Sequence, residues 1–283
     1  MTTEQKNAIQ AALQIFVSGF ASQSQAASNL KGASEAMLTQ ILKGNWTQIS
    51  EAMWRSIGKQ VGAGKEPWKI VETRNYSSLK TLFNDAKENG NVHAIVGNSG
   101  SGKTAAAEDY ARNTPNVYHI ECAKYMKEKV FLQEILTKMG KDASGNVGQL
   151  MNAIVTALLR QDEPLLILDE ADKLSNDVLY FFITFYNRLR DNCGIVLMAT
   201  SYLQTLIERG LHKKGFAEIH SRLGRKFIAL KPTSLNDVKE ICKANGITIE
   251  PLHTKIYNEC DGDLRRVAKS VHREKTTAKT EAA

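Results

Sequence analysis

One octapeptide limits what this chain can fold into more than any other feature. Gly97-Asn98-Ser99-Gly100-Ser101-Gly102-Lys103-Thr104 satisfies GxxxxGK[ST] completely, directly after the apolar run Val92–Val96 and at the head of the helically spaced segment Lys103–Arg112. Strand, glycine-rich turn and helix in that order make a phosphate-binding loop. Glycines let backbone N–H groups turn inward around phosphates, and the helix N-terminus adds its positive dipole. In such a loop Lys103 reaches the β- and γ-phosphates and Thr104 offers its hydroxyl to Mg²⁺, so Gly97 through Ala105 are the expected contacts of ATP.

A second run supplies the partner motif. Leu165-Leu166-Ile167-Leu168-Asp169-Glu170 is four apolar residues closed by two carboxylates. A buried central strand delivers Asp169 at its carboxyl end, where it can join Thr104 in holding Mg²⁺, and Glu170 is then placed to polarise an attacking water. Hydrolysis of ATP to ADP and phosphate is the expected activity. The letters Asp169-Glu170-Ala171-Asp172 also spell a helicase motif, but that class needs a second complete α/β domain and only residues 173–283 remain.

Around these motifs the chain reads as an α/β domain with a parallel five-stranded sheet. The strands are Val92–Val96, Val117–Glu121, Leu165–Asp169, Gly194–Ala199 and Lys226–Leu230, and helical spacing marks Lys103–Arg112, Lys129–Met139, Val147–Arg160 and Asn176–Arg190. Past Pro232 come three helical stretches without strands, Leu235–Asn245, Pro251–Glu259 and Gly262–Glu274, which read as a small lid. The expected division is an all-α segment 1–60, a Gly/Pro-bearing linker 61–67, the α/β core 68–231, the helical lid 232–275 and a frayed tail 276–283.

Composition closes off other classes. At 42% apolar and 24% charged residues the chain is neither disordered nor fibrous. The apolar run Leu179–Tyr186 is far too short to span a bilayer, so no membrane association is expected. The opening MTTEQKNAIQ has no basic stretch leading into an apolar one, and the four cysteines (Cys122, Cys193, Cys242, Cys260) are scattered, without CxxC. Both point to a reducing cytoplasm rather than to secretion or a zinc site. A net charge of +7 suits a polyanionic partner.

In the N-terminal segment, Ala27 and Leu30 are core positions of one helix, Gly32 permits a tight turn, and Ser34 caps a second helix with Met37, Leu38 and Ile41 facing inward. This is similar to the helix-turn-helix of phage-repressor type, with one extra residue before the turn. Glu35, Ala36, Thr39, Gln40 and Lys43 would then face outward, where a recognition helix meets the major groove.

From about residue 68 to 275 the chain resembles the AAA+ ATPases. The resemblance implies a γ-phosphate sensor at the end of the fourth strand, Thr200 with Ser201 next in line, and an arginine finger completing a neighbouring subunit's site, Arg222 with Arg225 as runner-up. Gly262-Asp263-Leu264-Arg265 looks like the family's GDxR lid signature, whose arginine, here Arg265, contacts the γ-phosphate from the same subunit. A helix-turn-helix, a glycine linker and such a core are similar to the MuB-like (TnsC/IstB-like) transposition ATPases, with the lead-in Ile70-Val71-Glu72-Thr73 packing near the adenine through Ile70 and Val71. That resemblance implies ATP-dependent assembly of a homo-oligomeric helical filament on double-stranded DNA, without strong sequence preference. The filament captures target DNA, delivers it to a DDE transposase and dissolves on hydrolysis. A basic loop with one aromatic, Lys124, Tyr125 and Lys127, is the expected DNA contact in the core, and the basic last helix is a second candidate for contact with DNA or the transposase. Two other classes share these motifs: helicase loaders, which usually begin with a partner-binding segment instead, and ATP-switched transcription regulators, which bind one DNA sequence tightly.

Overall fold

The computed structural model describes residues 1–20, 22–63 and 68–281, with side chains to 277. Residues 64–67 of the expected linker and 282–283 of the expected tail lie outside the described residues. The chain forms two compact units, Met1–Trp68 and Lys69–Ala283.

Among the described residues the first unit holds four helices, α1 (Thr3–Ser18), α2 (Gln23–Ser28), α3 (Glu35–Leu42) and α4 (Glu51–Gln60). Each starts because a hydroxyl residue (Thr2, Ser22, Ser34, Ser50) accepts a hydrogen bond from an N–H of the first turn. Their apolar faces meet in a core of Ile9, Leu13, Ala27, Leu30, Leu38, Ile41, Trp54 and Ile57. Met37, expected inside, is only half-buried.

The second unit opens with α5 (Arg74–Asn89) and continues β1 (Val92–Val96), α6 (Lys103–Asn113), β2 (Val117–Glu121), α7 (Glu128–Lys138), α8 (Val147–Leu159) and β3 (Leu165–Asp169). A 3₁₀ turn (Ala171–Lys173) leads into α9 (Asn176–Leu179) and α10 (Phe181–Leu189). Then follow β4 (Gly194–Ala199), α11 (Ser201–Arg209), α12 (Phe216–Arg222), β5 (Ile228–Ala229) and the lid helices α13 (Leu235–Ala244), α14 (Glu250–Cys260) and α15 (Leu264–Glu281). All strand pairs are parallel, in the order β2-β3-β4-β1-β5.

Every residue of β3 and β4 is buried, and the two-residue period divides them between two cores. Leu165 and Ile167 pack with α5 and α6 through Leu79, Phe83 and Ala107, whereas Leu166 and Leu168 pack with α7, α8 and α10 through Ile135, Ile154 and Phe185. The central strands are covered on both faces, and the carboxyl edge of the sheet carries the motifs.

Several elements differ from the sequence reading. The expected strand 226–230 shortens to two residues because it pairs on one side only, with Ile95 and Val96 of β1. The expected helix 176–190 breaks at Tyr180, whose hydroxyl donates to Lys214 O at 2.8 Å while its ring packs on Phe216. Helices α5, α11 and α12 were not expected. The last helix runs through Glu281 rather than ending near 275, since no glycine or proline follows Gly262.

Candidate nucleotide site

The loop Gly97–Gly102 joins β1 to α6, and α6 begins at Lys103 with no side chain capping its N-terminus. Its first-turn N–H groups are therefore open to an anion. Lys103 is folded into its own loop, donating from Nζ to Gly97 O at 2.7 Å and Asn98 O at 3.1 Å. Burial lowers its pKa, partly offset by the carboxylates of Asp169, Asp172 and Glu170.

Thr104 Oγ1 donates to Asp169 Oδ2 at 2.6 Å, joining the two motifs. Asp169 is fully buried. Burial alone would raise its carboxyl, but His119, the Thr104 hydroxyl and the Glu170 N–H together hold it below the usual carboxylate value. An ionised carboxylate beside a hydroxyl is a hard oxygen pair that suits Mg²⁺, which in such sites takes its remaining ligands from phosphates and water. Among the described residues no group of three or more His, Cys, Asp or Glu could hold a metal by itself. Thr104 and Asp169 are therefore the residues that could hold Mg²⁺ beside a phosphate.

Glu170 adopts φ 53°, a left-handed conformation costing a non-glycine residue about 1 kcal/mol. Its side chain pairs with Lys173. Thr200 caps α11 and donates to Asp172 Oδ2 at 2.5 Å, so the ends of β3 and β4 are cross-linked. Asp172 had no role in the sequence reading beyond an accidental motif. His119, near Asp169 at 3.4 Å, was also missed, since a lone histidine in a strand carries no spacing signal.

The lid sits directly on the phosphate loop. Leu264 N–H donates to Gly100 O at 2.9 Å, and Arg265 Nη2 donates to Ser99 Oγ at 2.9 Å while pairing with Asp263. Between loop and lid lies a cavity of about 540 Å³, lined among others by Gly97, Ser99, Ser101, Ser201, Thr233 and Tyr257. Ser201 thus faces this cavity, while Thr200 faces Asp172. Ala105 is exposed on α6.

The other expected residues fall elsewhere. Neither Ile70 nor Val71 lines the cavity: Asn245 bonds both the N–H and the C=O of Lys69, which seats Val71 against the lid core and leaves Ile70 exposed. Arg222 is held within its own chain by Asn187, Glu218 and the Tyr186 ring, whereas Arg225 is exposed. Lys124, Tyr125 and Lys127 are exposed after β2, and Tyr125 borders a cavity of about 380 Å³ where Glu108, Glu121, Glu134 and Glu170 outnumber Lys138 and Lys173, a setting that disfavours a phosphate. In the first unit Lys43 is exposed, while Thr39 and Gln40, expected outside, are half-buried because α2 lies beside them and Gln23 Nε2 donates to Thr39 Oγ1 at 2.8 Å. Among the described residues no helix is long and apolar enough to cross a membrane.

Sheet order, phosphate loop, buried strand-end carboxylate and helical lid define an AAA-type P-loop domain, and residues 86–207 match the AAA domain family. More particularly, the chain resembles the ATP-dependent target DNA activator B of Escherichia phage Mu, at 28% identity over 75% of this chain and 68% of that protein. It is also 24% identical to the Mu-like prophage FluMu DNA transposition protein B of Haemophilus influenzae, over 83% of each. Among solved structures, a RuvB mutant of Thermotoga maritima aligns with a TM-score of 0.48 and 17% identity, covering 76% of this chain and 65% of that one.

Proposed function

We propose that this protein is an ATP-dependent target DNA activator for transposition. It binds ATP with Mg²⁺, assembles side by side as a filament on double-stranded DNA with little sequence preference, presents that DNA to a DDE transposase, and leaves on hydrolysis. The observation that carries the reading is the Thr104–Asp169 pair under a lid whose Arg265 reaches the phosphate loop, in a chain similar over most of its length to a Mu target DNA activator.

Each residue has a share in the chemistry. The open N–H groups of the loop and Lys103 Nζ, released from Gly97 O and Asn98 O, bind the phosphates. Thr104 and Asp169 would hold Mg²⁺, which supplies charge neutralisation on the phosphates. Glu170, freed from Lys173, orients the attacking water and takes its proton. Thr200 and Asp172 report phosphate occupancy to the β4 end, with Ser201 as the cavity-facing alternative. Arg222, leaving Asn187, or the exposed Arg225 would reach the neighbouring subunit's γ-phosphate, which makes hydrolysis depend on assembly.

The α2–α3 pair, with Lys43 exposed, is a second DNA-contact surface in this reading. Electron microscopy with a random-sequence duplex tests the whole. Continuous filaments with a slowly hydrolysed ATP analogue, and none with ADP, are expected. Discrete particles at one site, or none on DNA, would refute it.

A further inference from the structure

A second groove lies on the core, away from the phosphate loop in sequence and lined by different residues. It measures about 140 Å³ and is bordered by Asn176, Tyr202, Thr205, Arg209, Lys213 and Phe216, with no carboxylate in its lining. Tyr202, Thr205 and Arg209 recur at three- and four-residue spacing on α11, so they share one helix face. Tyr202 is 59% exposed, an unusual amount for an aromatic ring with no role in a core. Arg209 and Lys213 are exposed, and among the described residues neither has an ion-pair partner. The nearest acid on the helix, Glu208, is exposed, accepts a hydrogen bond from Gln204 at 2.8 Å and does not line the groove.

The groove is also firmly built. Tyr180 donates to Lys214 O and packs on Phe216, and Lys213 N–H closes a turn onto Gly210 O at 2.7 Å. Two cations, an aromatic hydroxyl and an amide on a fixed wall are a donor set suited to a phosphodiester backbone. From residue 200 to 226 the chain carries six lysines and arginines against two acids, a local excess that favours a polyanion over a protein surface.

Both walls of the groove lead back to the nucleotide site. The chain leaving β3 at Asp169 passes Asp172 to reach Asn176, and the chain leaving β4 passes Thr200 and Ser201 to reach Tyr202, with Thr200 and Asp172 bonded to each other. We infer that this groove is a DNA phosphate-backbone site, in which Arg209 and Lys213 each neutralise one phosphate and the exposed Tyr202 hydroxyl donates to the same strand. It rests on the target-DNA reading above and assigns the contact to α11 and the loop after it, not to the acid-bordered Tyr125.

The test is binding of the full chain, with a slowly hydrolysed ATP analogue, to a labelled random-sequence duplex across a salt series. Each neutralised phosphate contributes about 0.9 to the slope of log affinity against log salt. The double variant Arg209→Ala/Lys213→Ala should therefore flatten the slope by about 1.8, with ATP-analogue affinity unchanged. Tyr202→Ala should weaken binding at every salt without altering the slope, because the contact is neutral. A wild-type slope in the double variant overturns the groove assignment. So does loss of ATP-driven self-association in the absence of DNA, which would make the groove a contact between copies. If the unaltered protein binds no duplex at any salt, the target-DNA reading itself fails.

Discussion

Replacing Gly100 by alanine should unlatch the lid. Gly100 has φ +79°, and a Cβ built there would lie 2.1 Å from Asp263 Oδ1 and 2.9 Å from Asp263 Cα. The carboxylate could swing aside, but the Cα can move only with the Gly262–Arg265 turn. That movement forfeits the Leu264 N–H bond to Gly100 O and the Arg265 bond to Ser99, both 2.9 Å. The Leu264 bond is worth roughly 1 kcal/mol, and the left-handed conformation forced on an alanine at position 100 adds about 1 kcal/mol, so the loss is about 2 kcal/mol. Lid docking should thus weaken roughly 30-fold. Hydrogen exchange reads this directly: the Leu264 amide should exchange about 30-fold faster, while amides of β1 and β4 keep their protection. Gly262→Ala is the control, because Gly262 has φ +75° but nothing within 4 Å of its Cβ. It carries only the left-handed penalty of about 1 kcal/mol, or about fivefold. Unchanged Leu264 exchange in Gly100→Ala would refute the latch.

Lys103→Ala should abolish nucleotide binding, measured by fluorescent-nucleotide titration, and DNA assembly with it; retained ATP affinity would contradict the loop assignment. Glu170→Gln should bind ATP normally but turn over about 10²–10⁴-fold more slowly in a phosphate-release assay, and its filaments should lengthen. Arg222→Ala should leave the isolated subunit's ATP affinity intact while DNA-stimulated hydrolysis drops by about 10³-fold or more; normal hydrolysis would move the finger to Arg225. Asp237 governs the acid limit of the lid. Burial would raise its carboxyl, but Ser234 and the Arg74 N–H and charge hold it below the usual value. A folded pKa below the unfolded one contributes stability that is present above about pH 3.9 and lost as pH falls through the folded value. Asp237→Asn should flatten this acid limb, followed by circular dichroism from about pH 5 to pH 2; an unchanged limb would place the titration elsewhere.

The local chemistry of this chain was legible in its sequence wherever a motif and its flanking element are contiguous. The phosphate loop could be read because strand, turn and helix are consecutive in Val92–Arg112, and β3 and β4 because buried parallel strands are continuous apolar runs. The lid helices were legible from period and caps. The sequence reading placed no element at α5, although Leu79, Leu82, Phe83 and Ala86 have helical spacing. Contacts between distant segments carry no such signal. That Thr200 bonds Asp172, that Asn245 draws Val71 toward the lid and away from the cavity, and that Arg222 rests on Asn187 and Tyr186 follow from sheet order and helix packing. The same holds for the groove on α11: Arg209 and Lys213 were visible as charges, but only packing joined them to Tyr202 and Asn176. The sequence by itself determined the glycine-rich loop and the helix it opens, because an N–H cradle needs neighbours along the chain. Tertiary structure alone decided which side chains oppose that cradle, because those contacts form only where segments far apart in sequence are packed together.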